Sequence, residues 1–393
     1  MTIPADVRRA RWAVMALFLT NGAIYANLVP RLPEIKAELG LSNAAYGLTI
    51  AAMPIGSLIA GLAAGLFIQR FGSARVAVFG TFLSAGFVFA AAVSQAHWLF
   101  VAALFLQGSS DAVTDVAQNA HGLRVQRRYG KTILNSFHAV WSLGAVLGGL
   151  MAAGALALSM GRPLHIGISS AIFIGVALFA LRFCLPGHDI EPTDTGSVPV
   201  VAGTVSHPIR VAVIMAALAL IGISGALVEE AGNSWAALYL SGSLGAPASV
   251  AAFGLIAVVG GQFIGRIIGD PLTDRFGSRA TAVGGAAITL VGMSLALAFP
   301  SVPGTLAGFA AAGFGVATLI PAAMETADSI PGLRAGTGLT IVSWLLRLGF
   351  LGAPPLVGLV ADTWSLRVGL LGIPLAGLVA ILCSWALRRK ARA

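Results

Sequence analysis

"RFGSARV" (Arg70–Val76) and "RFGSRAT" (Arg275–Thr281) open with the same four letters, 205 positions apart in a chain of 393 residues. Each is a small basic turn set between long apolar runs. A turn repeated at about half the chain length implies that one plan has been used twice. The runs on either side say what solvent that plan was built for.

Apolar, charge-poor windows of about 18–20 residues or more are long enough to cross a bilayer as helices. Upstream and downstream of the first turn they cover Trp12–Pro30, Gly47–Ile68, Val76–Val93, Trp98–Asn119, Ser136–Leu158 and Leu164–Leu185. Around the second turn they cover Ile209–Leu240, Val250–Ile268, Ala280–Phe299, Gly304–Met324, Thr337–Val360 and Val368–Leu387. Between the two sets lies "PGHDIEPTDTGSVPVVAGTVSHP" (Pro186–Pro208), whose Pro, Gly and acid content reads as a linker. The expected fold class is an all-α membrane protein of twelve transmembrane helices in two pseudo-symmetric halves. The halves are 1–185 and 209–393, with a cytoplasmic linker at 186–208.

Composition agrees with those windows. The chain is 57% hydrophobic and 10% charged, with mean hydropathy +0.90, where soluble domains carry about 25% charged residues. Such a chain has too little polar material to face water. Its 49 glycines suit helices that approach closely in lipid. The net charge of +9 is accounted for by basic loop anchors, so nucleic acid is not an expected partner. Two cysteines, Cys184 and Cys383, lie near span ends and build neither a disulfide framework nor a metal site. The basic start "VRRARWAVMALFLTNG" runs on without a small-residue cleavage site and reads as a retained first span.

Charge asymmetry sets the orientation. With the N-terminus in the cytoplasm, 19 of the 24 Lys and Arg residues fall on the cytoplasmic side. The outer loops then hold Arg31, Lys36, Arg162 and Arg367, and Arg347 lies within a span. The positive-inside rule therefore places both termini in the cytoplasm.

Both RFGS turns then lie on the cytoplasmic face, after the second and eighth spans. The 205-residue offset recurs, with Leu39-Gly40 matching Leu244-Gly245 and Ser142-Leu143-Gly144 matching Arg347-Leu348-Gly349. Parallel six-helix repeats with a mid-depth site between them are a transporter plan. The second turn, in "GRIIGDPLTDRFGSR", resembles the signature loop of the major facilitator superfamily, Gly-x-x-x-Asp-Arg-x-Gly-Arg/Lys. Asp274, Arg275 and Gly277 match, and Asp270 stands at the leading Gly position. In the first copy Gly65, Arg70 and Gly72 match, and Gln69 replaces the acid. The resemblance implies that these loops latch the cytoplasmic side in the outward-open state. "NSFHAVWSLGAVLGG" (Asn135–Gly149) is also similar to bacterial facilitators distantly related to sugar permeases such as the fucose–proton symporter. Two departures oppose drug–proton antiport. Leu104 stands where the superfamily usually has Arg before Gln107-Gly108, and Gly144-Ala145 replaces a Gly-Pro pair.

Ionisable residues inside spans are costly and mark candidate sites. Asp111, Asp115 and Gln118 share one face of the fourth span, with Asn119 beside them. Asp111 falls close to mid-depth, and the two acids are expected to handle protons. Glu229, next to Glu230 in the outer third of the seventh span, is a third proton-coupling candidate, with an interruption expected at Gly232-Asn233. Arg347 needs an anion, supplied either by an acid of the protein or by substrate. Asn21 and Tyr25 in the first span, His138 and Trp141 in the fifth and Trp344 in the eleventh complete the substrate candidates. Amides with aromatics suit a polar or ring-shaped ligand.

"GKT" (Gly130–Thr132) lacks the glycine a phosphate loop needs at position 125, which is Val. No nucleophile–base pair or metal-ligand spacing is present, so no enzyme activity, cofactor or metal is expected. The expected function is transport of a small polar solute by alternating access, as proton-coupled symport by a monomer. The alternatives are proton-driven efflux of amphipathic compounds and a membrane sensor that binds without flux.

Overall fold

A computed structural model describes residues 3–131, 133–187, 208–330, 333 and 337–387. Most of the expected linker, together with Thr132, Arg334 and the final basic residues, lies outside the described residues. Hydrocarbon offers backbone groups no hydrogen-bond partner, so an apolar chain must close its N–H and C=O groups within helices or a barrel. Among the described residues the protein has only helices and turns. Among the described residues, twelve stretches are long and apolar enough to cross a membrane. Spans 1 to 6 are Ala5–Glu38, Asn43–Gly61, Ser73–Ala92, His97–Tyr129, Ser136–Ala157 and Arg162–Leu181. Spans 7 to 12 are Ile209–Ser243, Ala248–Phe276, Ser278–Ala298, Val302–Asp328, Thr337–Thr363 and Leu366–Ala386.

Several helices outrun their apolar windows. Span 1 continues through a 3-10 turn at Val29–Arg31 into Leu32–Glu38, so Arg31 and Lys36 are helical rather than in a loop. Span 4 runs to Tyr129 and ends at Gly130 in the left-handed region, φ 72°. The interruption expected at Gly232-Asn233 is absent, because the helix Pro208–Leu238 passes through both residues. Gly232 serves packing instead: a Cβ there would lie 2.9 Å from Val258 Cγ2 on span 8. The irregular geometry of span 7 comes later, as a π turn at Tyr239–Ser243. Span 11 keeps helical backbone through Leu346 (φ −61°, ψ −23°), which joins Thr337–Leu345 to Arg347–Thr363.

The chain forms two compact units. Unit 1 comprises Met1–Leu41, Leu48–Thr193 and Pro247–Ile256; unit 2 comprises Ser42–Gly47, Asp194–Ala246 and Ala257–Ala393. In unit 1, span 1 packs along span 5, and span 4 against spans 2 and 3. Span 1 meets span 5 backbone to backbone, since a Cβ on Gly22 would collide with the Trp141 carbonyl and one on Gly144 with the Leu19 carbonyl. In unit 2, span 9 packs on spans 10 and 12, and span 7 on span 11.

The duplicated plan reaches individual bonds. Both RFGS glycines take a conformation that L side chains rarely adopt, Gly72 at φ 82° and ψ 145° and Gly277 at φ 87° and ψ 153°. Arg70 lies over Phe71 at 5.5 Å and Arg275 over Phe276 at 5.3 Å. Gly40 and Gly245, at the same offset, have φ 61° and 66°. Arg162 Nε donates to the Ala92 carbonyl, and Arg367 Nε donates to the Leu297 carbonyl at 2.6 Å. Both residues of that second bond lie 205 positions beyond those of the first.

Candidate functional site

Unit 1 draws polar side chains from spans 1, 4 and 5 into two short chains of hydrogen bonds. In the first, Trp141 Nε1 donates to Asn21 Oδ1 at 2.7 Å, and Asn21 Nδ2 donates to Asp111 Oδ1 at 2.9 Å. The close backbone approach at Gly22 and Gly144 brings Asn21 within reach of span 5. In the second, Asn119 Nδ2 donates to Asp115 Oδ1 at 3.0 Å, and its Oδ1 lies 3.2 Å from His138 Nε2. An amide can donate and accept at once, so each chain joins a carboxylate to a ring nitrogen through one amide. Phe18 stands edge-on to the His138 ring at 5.2 Å. Asp115 and His138 are exposed, while Asp111, Asn21, Tyr25 and Trp141 are half-buried. Gln118 is 1% exposed and donates to the Leu17 carbonyl at 3.0 Å, so it braces span 1 behind this group.

Unit 2 carries a second group. Gln262 Nε2 of span 8 donates to Glu229 Oε2 at 2.7 Å, and Ser234 Oγ donates to Glu230 Oε1 at 2.6 Å. The adjacent acids thus have separate partners, one on a neighbouring span and one on the next turn of the same helix. Arg347 is exposed, with its guanidinium 5.9 Å from the centroid of the Trp344 ring, itself 52% exposed. No ion pair to Arg347 is present among the described residues, and it lies within the span Thr337–Thr363.

The four charged residues expected in loops are helical: Arg70 ends the helix Ala64–Phe71, and Asp270, Asp274 and Arg275 lie in the last turns of the helix Phe253–Phe276, all of them exposed near the turn glycines Gly72 and Gly277. No group of three or more His, Cys, Asp or Glu side chains with metal-binding geometry occurs among the described residues. Sequence reasoning missed Gln262, Ser234 and Phe18. Gln262 had a legible signal, a lone amide between glycines in "GGQFIG". Phe18 had none, because an aromatic in an apolar span does not announce its neighbour.

Comparison with known proteins gives these side chains a context. The sequence profile of the Major Facilitator Superfamily matches residues 14–268 and 218–393. An uncharacterized transporter, y4wD, of Sinorhizobium fredii is 27% identical over 371 residues, covering 94% of this chain and 96% of that protein. The nucleoside transporter NupG has the same fold with a TM-score of 0.74 at 11% identity, over 96% of this chain and 98% of the other. A D-xylose-proton symporter gives 0.70 at 18% identity, over 98% and 97%. With profile matches that together run from residue 14 to the last residue, twelve apolar helices and a repeated loop signature, the protein is a multi-pass secondary transporter, not an enzyme, and belongs to the major facilitator superfamily.

Proposed function

We propose that the protein carries a small polar solute by proton-coupled symport, as a monomer, across a bacterial inner membrane with both termini in the cytoplasm. The observation that carries this reading is the Trp141–Asn21–Asp111 chain. A carboxylate held mid-span by an amide has its hydrogen bonding set by its protonation state. The charged form accepts from Asn21, and a protonated carboxyl gains an O–H donor of its own. Proton uptake therefore reorganises the groups a solute would meet. Asp115, through Asn119 and His138, offers the same chemistry one turn further along span 4. Glu229, in unit 2, is the third coupling acid in this reading.

The substrate side chains in this reading are Asn21, Tyr25, Asn119, His138, Trp141, Trp344 and Arg347, with Gln118 supporting them from behind. They supply amide donors and acceptors, ring faces and one fixed cation, which suits a hydroxyl-rich or heteroaromatic solute. The exposed helix-end residues Arg70, Asp270, Asp274 and Arg275, with the turn glycines Gly72 and Gly277, are the cytoplasmic gate residues in this reading. The sugar and nucleoside carried by the two structural neighbours named above belong to the same broad chemical class and guide the choice of test compounds.

Purified protein in liposomes enclosing a pH-sensitive dye tests the coupling. Neutral sugars, nucleosides, small carboxylates and lipophilic cations are added outside in turn. A transported solute should acidify the lumen, and Asp111→Asn should reduce that signal at least tenfold while the protein still elutes as a single species. Solute accumulation without lumen acidification, or acidification that survives in both Asp111→Asn and Asp115→Asn, would sink the assignment.

A further inference from the structure

Three nitrogens near one end of unit 1 are buried and have no hydrogen-bond partner among the described residues: Arg31 Nε, Arg162 Nη1 and His165 Nδ1. Arg31 is 3% exposed and His165 4%, and the Arg162 side chain is 10% exposed. A buried charged donor without an acceptor is costly, so a group of such atoms calls for a further partner.

Helical spacing brings them together. Asn27 and Arg31 lie one turn apart on span 1, and Arg162 and His165 one turn apart on span 6, so each pair shares a helix face. His165 Nε2 lies 2.9 Å from Asn27 Oδ1, and Arg31 Nη2 donates to the Met160 carbonyl at 2.8 Å, just before span 6 begins. Glu34 stands against both arginines. Its Oε1 accepts from Arg31 Nη1 at 2.9 Å, and its Oε2 lies 4.0 Å from Arg162 Nη1, too far for a hydrogen bond. Arg162 commits its other nitrogens to the Ala92 carbonyl and to Glu38 Oε2 at 2.7 Å. Each planar guanidinium is thus pinned through two nitrogens, which fixes where its third one points.

The free atoms define the chemistry of the partner. Guanidinium nitrogens only donate, so the partner is an acceptor. Each arginine has one nitrogen left rather than the paired fork that a carboxylate or phosphate occupies, which favours a compact anion. His165 completes the set. Asn27 Nδ2 donates to the Ala23 carbonyl at 2.8 Å, so its Oδ1 accepts and His165 Nε2 carries a proton. In the neutral ring Nδ1 is a bare acceptor, and in the charged ring it is a third donor. Glu34 and Glu38 already offset the two arginine charges, so a proton on His165 balances an added anion. Near this end, the charged groups of the packed elements are Arg31, Glu34, Lys36 and Glu38 on span 1 and Arg162 on span 6 itself. Span 3, which packs on span 6, has one charged residue, Arg75, at its opposite end, and the half of span 5 toward Ala157 has none.

The second half of the chain omits the cluster. Arg367 stands 205 positions beyond Arg162, and its bonds end on the carbonyls of Leu297 and Ala298. The positions matching Asn27, Arg31, Glu34 and His165 are Gly232, Ala236, Tyr239 and Leu370. A brace that only tied span 6 to its neighbour would need no more than the shared arginine. The added polar groups are specific to unit 1.

We propose that these three nitrogens form a binding site for one chloride-sized anion, taken up together with a proton on His165. The site lies at the end of unit 1 that the proposed orientation turns outward, and it does not rest on the transport reading.

Equilibrium dialysis of the purified protein in detergent against radiolabelled chloride tests it without a flux assay. One chloride per chain is expected, bound at least threefold more tightly at pH 5.5 than at pH 8, on either side of the histidine range. Bromide should displace it, and gluconate and phosphate should not. Arg31→Lys, which keeps the charge and loses the guanidinium edge, should weaken binding at least tenfold, and His165→Gln should remove the pH dependence. Arg367→Ala, at the matching place in the second half, should leave binding unchanged. No retained chloride at either pH would mean that water alone fills the gap and would overturn the proposal, as would binding that Arg31→Lys leaves intact. Equal affinity at both pH values would overturn the coupled proton. Dialysis of the unmodified protein decides for or against the site even where a variant fails to fold.

Discussion

Asn21 holds the two ends of the unit 1 network together. It receives the Trp141 indole N–H and gives an N–H to Asp111. Asn21→Ala leaves both partners without their bond, and a buried polar group so orphaned costs about 1–3 kcal/mol. Trp141→Phe removes one donor and leaves the bond to Asp111 intact. Thermal unfolding in detergent should show both variants destabilised, with Asn21→Ala the more affected. Equal melting temperatures would mean that the Trp141 bond carries the whole effect. Arg347 differs from these residues in kind. It has an aromatic face beside it at 5.9 Å, a contact worth about 0.5–1 kcal/mol when exposed. Arg347→Lys keeps the charge and loses the planar fork. It should weaken retention of an anionic solute in a thermal-shift panel and leave neutral solutes unaffected.

At the scale of elements, the two RFGS turns reverse the chain through glycines at φ 82° and 87°. Residues other than glycine held in that region cost of order 1–3 kcal/mol. Gly72→Ala and Gly277→Ala should therefore lower the melting temperature by similar amounts, read by thermal unfolding of each single variant. A silent Gly72→Ala would show that the first turn can relax where the second cannot. The two turns are alike in backbone and in their Arg-over-Phe contacts, yet they differ in chemistry. The first has Gln69 where the second has Asp274. Geometry is duplicated, and the acid is not.

For the whole molecule, the charge asymmetry makes a prediction that no single contact decides. Reporter domains active only in the cytoplasm should work when fused at the C-terminus and fail when inserted at Gly161, the turn between spans 5 and 6. The opposite pattern would invert the orientation. Within each half, Arg162 and Arg367 tie a span to a neighbouring helix end through the same bond at the same offset. Arg162 also meets Glu38 at 2.7 Å, so Arg162→Ala should destabilise more than Arg367→Ala in the same thermal assay.

Hydropathy, the basic ledger and the twice-used turn determined the twelve spans, the repeat and the family, because the bilayer punishes unpaired backbone and buried charge wherever they fall. Asp111, Asp115 and Glu229 were legible for the same reason: a carboxylate inside an apolar run stands out without any knowledge of its neighbours. Their partners were not. Asn21 meets Trp141 because spans 1 and 5 touch at two glycines, and Gln118 turns away from the acids to brace Leu17, a choice that helical spacing alone does not make. The helix runs whole through Gly232, whose missing side chain leaves room for Val258. The cluster around Arg31 and Arg162 was invisible for the plainest reason: Asn27 and His165 are joined by a hydrogen bond across 138 positions of chain, and only the folded backbone brings them together.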